Sequence, residues 1–350
     1  MNMAIHIIPD GSTDRLRTSK SDLTEVLAQA RSAIRQKSPQ PSRSYVTIGV
    51  FDGVHRGHQQ LIGRMTQSAH ATQDLAVVIN FDPHPAITLG YTPPPLLTTV
   101  ETRARLLDAL GVDVLVVLPF TQALAHTSAT DFVEALMHHL RLIELWGGPD
   151  LALGYRREGD VPFLRHLGAE RGFGVRVVEP LVWEGAAVSS SRVRAALRTG
   201  DVRQATGCLG RPYRLASVVI RGDGRGHRIG IPTANISPPP GRVIPAGGIY
   251  ACLAHTQHQG AHPAVVNVGT RPTFVRDGLV VEAHLLDFDG DLYDQTLALD
   301  FVARLRDERA FPGPDALVEQ IRSDIVRARL ILDDFRVAVR PDLPFYVEKA

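Results

Sequence analysis

Two stretches of this sequence combine residue types that handle phosphate. The first is Gly49-Val50-Phe51-Asp52-Gly53-Val54-His55-Arg56-Gly57-His58, where two imidazoles stand three residues apart behind a glycine-bearing turn. The apolar run Tyr45 to Ile48 precedes it and Gln59-Gln60-Leu61-Ile62 follows, so the segment reads as strand, turn and first helical turn. Backbone N–H groups at such a point favour an anion, and the paired histidines can donate hydrogen bonds to oxygens that gain charge during phosphoryl or nucleotidyl transfer. A surface turn with two solvated histidines is the alternative, and the flanking strand and helix weigh against it. The second stretch is Gly222-Asp223-Gly224-Arg225-Gly226-His227-Arg228-Ile229-Gly230-Ile231-Pro232-Thr233-Ala234-Asn235. Its glycines Gly222, Gly224, Gly226 and Gly230 let backbone N–H groups approach phosphate closely, while the Thr233 hydroxyl and Asn235 amide oxygen are hard ligands suited to Mg2+.

Other candidates sit near strand ends. Phe81-Asp82-Pro83-His84-Pro85 is a proline-fixed loop that can turn His84 toward the first crevice. Gly148 to Gly154 brings Asp150, and Tyr155-Arg156-Arg157 follows it. Val188-Ser189-Ser190-Ser191-Arg192-Val193-Arg194 opens a helix with three hydroxyls, which suits plain N-capping and phosphate contact alike. On spacing alone Glu282 reads as a solvent-facing strand residue. Arg306 reads either as one end of an ion pair or as a ligand contact.

These residues need elements to position them. Strands are predicted at Tyr45 to Phe51, Leu75 to Phe81, Asp113 to Leu118, near Leu151 and at Val175 to Val178, with helices near 58–71, 100–110, 129–142, 162–171 and 191–198. Strands apolar throughout, alternating with helices, predict a doubly wound parallel sheet whose ligands lie beyond the carboxyl ends of its strands. Residues 1–44 carry one helical pattern, Leu23, Val26, Leu27 and Ala30 to Ile34, and enter through a polar loop. After Leu209-Gly210-Arg211-Pro212-Tyr213 the texture changes to short runs split by Gly, Pro and Asp: Leu215 to Ile220, Ile249 to Ala254, Ala264 to Val268, Leu279 to Leu286 and Leu297 to Phe301. Such spacing predicts a closed antiparallel barrel, with Leu317, Ile321, Ile325 and Ala328 marking one helix packed against it.

Composition narrows the function classes. The 350 residues suit two domains, and 44% hydrophobic with 21% charged residues is a globular balance. No run approaches the roughly 20 apolar residues of a bilayer span, and Met1 to Asp10 has no secretory pattern, so no membrane partner is expected. Cys208 and Cys252 are too few for a disulfide framework and lack metal spacing, which fits buried thiols in a reducing, cytoplasmic setting. A net charge of +1 argues against nucleic acid. Lysine occurs only at Lys20, Lys37 and Lys349 and no G-x-x-x-x-G-K-[ST] loop is present, so phosphate must be met by Arg, His, backbone N–H groups or a metal.

The string G-x-F-D-G-x-H-x-G-H resembles the adenylylation half of prokaryotic bifunctional riboflavin kinase/FAD synthetases. Val188 to Arg194 is similar to their S-S-T-x-[VI]-R element, with serine for threonine and Arg192 at its variable position. In the second half, Gly222 to Asn235 resembles the riboflavin kinase motif. Asn267-Val268-Gly269-Thr270-Arg271-Pro272-Thr273, Val281-Glu282-Ala283-His284, Asp291-Leu292-Tyr293 and Leu305-Arg306-Asp307-Glu308-Arg309-Ala310-Phe311 extend the likeness, in the family's order.

The resemblance implies an N-terminal extension (1–44), a Rossmann-like FMN adenylyltransferase domain (45–205), a β-barrel riboflavin kinase domain with a C-terminal helix (206–340) and a tail (341–350). It implies phosphorylation of riboflavin to FMN by ATP with Mg2+, then adenylylation of FMN to FAD with release of pyrophosphate, leaving the oligomeric state open. It further implies that Glu282 is the kinase base and that His55, His58 and Arg194 serve the adenylyl transfer. Gly49, Phe51, Asp52, Gly53, Gly57, Ser190, Ser191, the four glycines of the second loop and Pro232 would then line phosphate. Asp150, Asn267, Arg271, Thr273 and Arg306 would contact flavin, and Thr233 and Asn235 the metal. Val50 stands where asparagine is common, Leu151 and Leu153 where aromatics are usual, and Ser217 where glycine is. Two alternatives follow: a kinase with an impaired adenylyltransferase, and a flavin-binding regulator without turnover.

Overall fold

The computed structural model describes residues 5–7, 23–37, 43–222, 226, 230–270 and 279–338. The chain divides into two compact units, one built from 1–94 and 98–188, the other from 95–97 and 189–350.

The first unit holds a sheet of six strands, all parallel: β1 (Ile5–Ile7), β2 (Ser44–Gly49), β3 (Leu75–Phe81), β4 (Val114–Leu118), β5 (Leu142–Gly147) and β6 (Gly174–Val177), in the order 1-4-3-2-5-6. Its longer helices are α1 (Leu23–Lys37), α2 (Arg56–Ala71), α3 (Val100–Asp108), α4 (Ala129–Leu140) and α5 (Val161–Arg171), with single turns at Pro85–Thr88 and Gln122–Ala125. Side chains alternate across a strand, so β3 sends Val77 and Ile79 into one core with α1, α4 and α5, and Ala76 and Val78 into another with α2 and α3. Both faces being covered explains why the strands read as continuous apolar runs. The predicted N-terminal pattern is helix α1, whose Leu23, Val26, Leu27 and Ala30 are buried in the first of these cores. Each fully buried Leu or Val stabilises by about 1.5–3 kcal/mol.

Two local expectations fail. The helix predicted to run to 142 stops at Leu140, because Arg141 takes a left-handed conformation (φ 53°) and β5 starts at once. No glycine or proline marks that boundary, so the sequence hides it. The strand expected near Leu151 is only Ala152–Leu153, paired antiparallel with Gly159–Asp160 outside the main sheet.

In the second unit α6 (Ser190–Arg198) and α7 (Val202–Leu209) precede a closed antiparallel barrel. Its strands are β7 (Tyr213–Ile220), β8 (Ala234–Ile236), β9 (Gly248–His255), β10 (Ala261–Thr270), β11 (Leu279–Leu285) and β12 (Thr296–Arg306), closing in the order 7-8-11-10-9-12. Helix α8 (Pro314–Ala338) lays Ala328 and Leu332 on Ala251, Leu253, Val265, Val302 and Leu305 of the barrel, with Ile325 packed alongside. Helix α7 and the short β8 are elements that periodicity did not reveal. Ser217 donates its hydroxyl hydrogen bond to the Ser237 carbonyl, a use the usual glycine does not offer.

Candidate active sites

The loop between β2 and α2 is held in an unusual backbone path. Phe51 (φ 47°), Gly53 (φ 84°) and Val54 (φ 39°) all take positive φ, rare for a β-branched residue such as Val54. Tertiary partners enforce it. The buried Asp52 carboxylate accepts hydrogen bonds from the Thr98 N–H (2.9 Å) and hydroxyl (3.0 Å), and that hydroxyl accepts one from the Gly53 N–H (3.0 Å). Asn80 donates to the carbonyls of Gly49 and Val50, and buried Arg103 donates to the Val50 carbonyl at 2.7 Å. Val50 is thus held by its backbone, and valine in place of asparagine leaves that anchoring intact.

The path ends at His55, the N-cap of α2, whose Nδ1 accepts from the His58 N–H at 3.3 Å. That bond leaves the neutral His55 ring with its hydrogen on Nε2. The two imidazoles stack with centroids 3.6 Å apart and planes 20° from parallel, and Phe51 meets His58 edge-on at 5.1 Å. A side chain at Gly57 would meet the His55 ring at 3.2 Å, so glycine keeps the stack open. Burial, then the neighbouring His55, pushes the His58 pKa well below the usual value. His58 is therefore a neutral donor and acceptor, and its Nδ1 has no hydrogen-bond partner among the described residues. Gly49, Phe51, Asp52, Gly53, His55, Gly57 and His58 are brought together, as their spacing predicts.

His84 caps a short helix, accepting from the Ala86 N–H at 3.1 Å. Asp82, in the same loop, has its carboxyl pKa raised by burial against the opposing pull of Arg103. Asp150 is exposed, and its carbonyl accepts from Arg157 at 2.7 Å. Leu151 and Leu153 are buried in the α1/α4/α5 core. Ser190, Ser191 and Arg194 belong to the second unit, on the first turn and a half of α6. The cap itself is Ser189, which accepts from the Arg192 N–H at 3.2 Å; Arg194 is buried and its Nε donates to the Pro95 carbonyl at 2.7 Å.

The second site is a cavity of about 450 Å³ in the barrel unit, lined by Gly226, Thr233, Asn235, Asn267, Glu282 and Arg306 among others. Strand register explains the grouping: Glu282 on β11 lies directly opposite Asn235 on β8 and Asn267 on β10, so three side chains form a row across three strands. The Asn267 Oδ1 is buried without a hydrogen-bond partner among the described residues. A Cβ at Gly222 would meet the Asn235 amide nitrogen at 2.2 Å, and one at Gly226 would meet the Ile231 carbonyl oxygen at 2.3 Å and the Thr233 hydroxyl at 3.2 Å. Gly222 and Gly226 therefore bring their backbone close against those two side chains. Gly230 takes φ 74° and Pro232 is exposed. Arg306 is bound through Nε and Nη2 to the buried Asp324 (2.8–3.2 Å), and Gln320 donates to the same carboxylate at 2.8 Å. Gly224, Arg271 and Thr273 lie outside the described residues.

Thr233, Asn235 and Glu282 offer hard oxygens in too small a number to enclose a metal, and among the described residues no group of three or more His, Cys, Asp or Glu could do so. Such a donor set fits Mg2+, which keeps waters and substrate phosphates as its other ligands. Thr98, Asn80 and Arg103 hold the loop between β2 and α2 by hydrogen bonds, and sequence reasoning missed them. Asn80 did carry a signal, as the one polar residue of an apolar strand ending at the crevice.

Residues 37–192 match the FAD synthetase family and residues 209–332 the riboflavin kinase family. The bifunctional riboflavin kinase/FMN adenylyltransferase of Pseudomonas fluorescens is 37% identical over 295 residues, 84% of this chain and 94% of that protein. Its namesake in Bacillus subtilis is 33% identical (81% and 90% covered), and that of Escherichia coli K12 is 34% identical (81% and 91% covered). A crystal structure named as a macrolide-efflux protein from Streptococcus pneumoniae superposes with a TM-score of 0.76 at 30% identity, covering 83% of this chain and 95% of that one. No helix among the described residues is long and apolar enough to cross a membrane. Carrying both matches in one chain, and aligning over most of its length with proteins that bear both names, this protein belongs to the bifunctional riboflavin kinase/FMN adenylyltransferase family.

Proposed function

We propose that the two reactions of the family, riboflavin to FMN and FMN to FAD, are divided between the barrel cavity and the His55–His58 turn. The observation that carries the assignment is the row Asn235–Glu282–Asn267 within one cavity. Glu282 takes the proton from the riboflavin 5′-hydroxyl as its oxygen attacks the γ-phosphorus of ATP, and its place on a strand keeps it within reach. Thr233 and Asn235 would hold Mg2+, which when bound neutralises charge on the transferring phosphates. The unpartnered Asn267 oxygen accepts from a substrate hydroxyl or N–H, and Arg306, oriented by Asp324, bounds the flavin side. The backbone of Gly222, Gly226 and Gly230 faces phosphate.

In the second reaction a phosphate oxygen of FMN bonds to the α-phosphorus of another ATP while the bond to the bridging oxygen breaks and pyrophosphate leaves. No protein nucleophile takes part. His55 and His58 donate hydrogen bonds to the oxygens that gain charge, and being held as a stacked pair they need little rearrangement to do so. Ser190, Ser191 and Arg194 are assigned to phosphate contact and Asp150 to the flavin. The protein works on small molecules in the cytoplasm, with no nucleic-acid or membrane partner.

Chromatography of products from riboflavin and MgATP tests this directly. His58→Ala is expected to abolish FAD formation while FMN accumulates. Glu282→Gln is expected to abolish FMN formation while supplied FMN is still converted to FAD. Equal loss of both products in either variant sinks the division of labour.

A further inference from the structure

We propose that His284 is a positioning residue for the phosphoryl transfer, fixing the turn that carries Thr233 and Asn235 against the strand that carries Glu282. The inference rests on the kinase reading above and adds a residue that reading does not use. His284 lies two positions after Glu282 on β11, hence on the same face, and both line the cavity. Its Nδ1 donates a hydrogen bond to the Pro232 carbonyl at 2.7 Å.

The place of that bond matters. Ladder pairing between β8 and β11 begins at Ala234–Ala283 and runs away from the turn, through Asn235–Glu282 to Ile236–Val281. Thr233 lies on the other side of Ala234, followed back along the chain by Pro232. Proline fixes its own φ but leaves ψ free, and rotation about ψ of Pro232 would swing the peptide that leads into Thr233. A hydrogen bond to the Pro232 carbonyl removes that freedom. Thr233 is thus held between two anchors on β11, the backbone at Ala283 and the imidazole of His284. The glycine loop adds a third restraint through the Ile231 N–H, which donates to the Gly226 carbonyl at 2.8 Å. Donation through Nδ1 leaves Nε2 as the acceptor nitrogen of the neutral ring.

The test compares His284→Ala with His284→Asn, whose side-chain amide can replace Nδ1 as donor to the Pro232 carbonyl. Mn2+ binding in the presence of ADP is followed by electron paramagnetic resonance, alongside kinase kinetics and FAD formation from supplied FMN. Loss of one well-made hydrogen bond predicts that His284→Ala raises half-saturating Mn2+ about tenfold, with the KM for riboflavin unchanged and FAD formation intact. His284→Asn is expected to restore metal binding to near the wild-type value. Wild-type Mn2+ binding in His284→Ala, an equal loss in His284→Asn, or a change confined to the riboflavin KM each overturns the proposal. Wild-type protein that makes no FMN would instead refute the kinase reading itself.

Discussion

Replacing Thr98 by valine keeps its shape and removes one oxygen that two groups of the adenylylation loop depend on. That hydroxyl donates to the buried Asp52 carboxylate at 3.0 Å and accepts from the Gly53 N–H at 3.0 Å, while the Thr98 N–H remains on Asp52 at 2.9 Å. A hydrogen bond to a charged group is worth about 1.5–3 kcal/mol and a neutral one about 1 kcal/mol, so the expected cost is about 2–4 kcal/mol. For a unit of this size that lowers the melting transition by about 4–16 °C. Differential scanning calorimetry on the full chain reads the shift, with Thr98→Ser as the control that keeps both bonds. The same substitution frees the segment that ends at His55, so FAD formation from FMN is expected to fall about tenfold or more at 25 °C while FMN formation holds. A Thr98→Val protein that melts within about 1 °C of wild type and makes FAD at the same rate would show that Thr98 does not hold the loop.

Gly154 takes φ 76°, and a Cβ there would lie 2.3 Å from the Ala129 backbone nitrogen. Gly154→Ala is accordingly expected to destabilise the first unit by about 2 kcal/mol or more, read as a lower denaturant midpoint. The depressed His58 pKa sets a pH dependence of defined sign. The unfolded chain takes up a proton near pH 6.5 that the folded ring refuses, so stability is full above that pH and declines below it by up to about 1.4 kcal/mol per pH unit. Unfolding curves between pH 7 and pH 5 are expected to show this slope in the wild type and a shallower one in His58→Asn; equal slopes refute the assignment.

Much of the first site was legible because its chemistry is local. His55 caps the helix and His58 lies in its first turn, so the local geometry of the cap brings their rings together. Its supports were not legible in the same way. Thr98 and Arg103 lie 46 and 53 residues from the groups they hold, in a segment whose own pattern says only helix start and helix. Leu151 and Leu153, which stand where the resemblance leads to aromatics, are buried in the core, a placement their own stretch did not reveal. The boundary at Arg141 was hidden because a left-handed residue there is imposed by packing and not announced by a glycine.

The sequence by itself determined the period of each element, the motif order and the residue types able to meet phosphate, since these depend on neighbours a few positions apart. Tertiary structure alone decided which distant residues share a site. Asn235, Asn267 and Glu282 become a row only when strands from three separate segments pair in one register, and a shift of one residue would turn Glu282 to the opposite face. That register is set by closure of the whole barrel and by the apolar faces it must bury, a condition no local stretch contains.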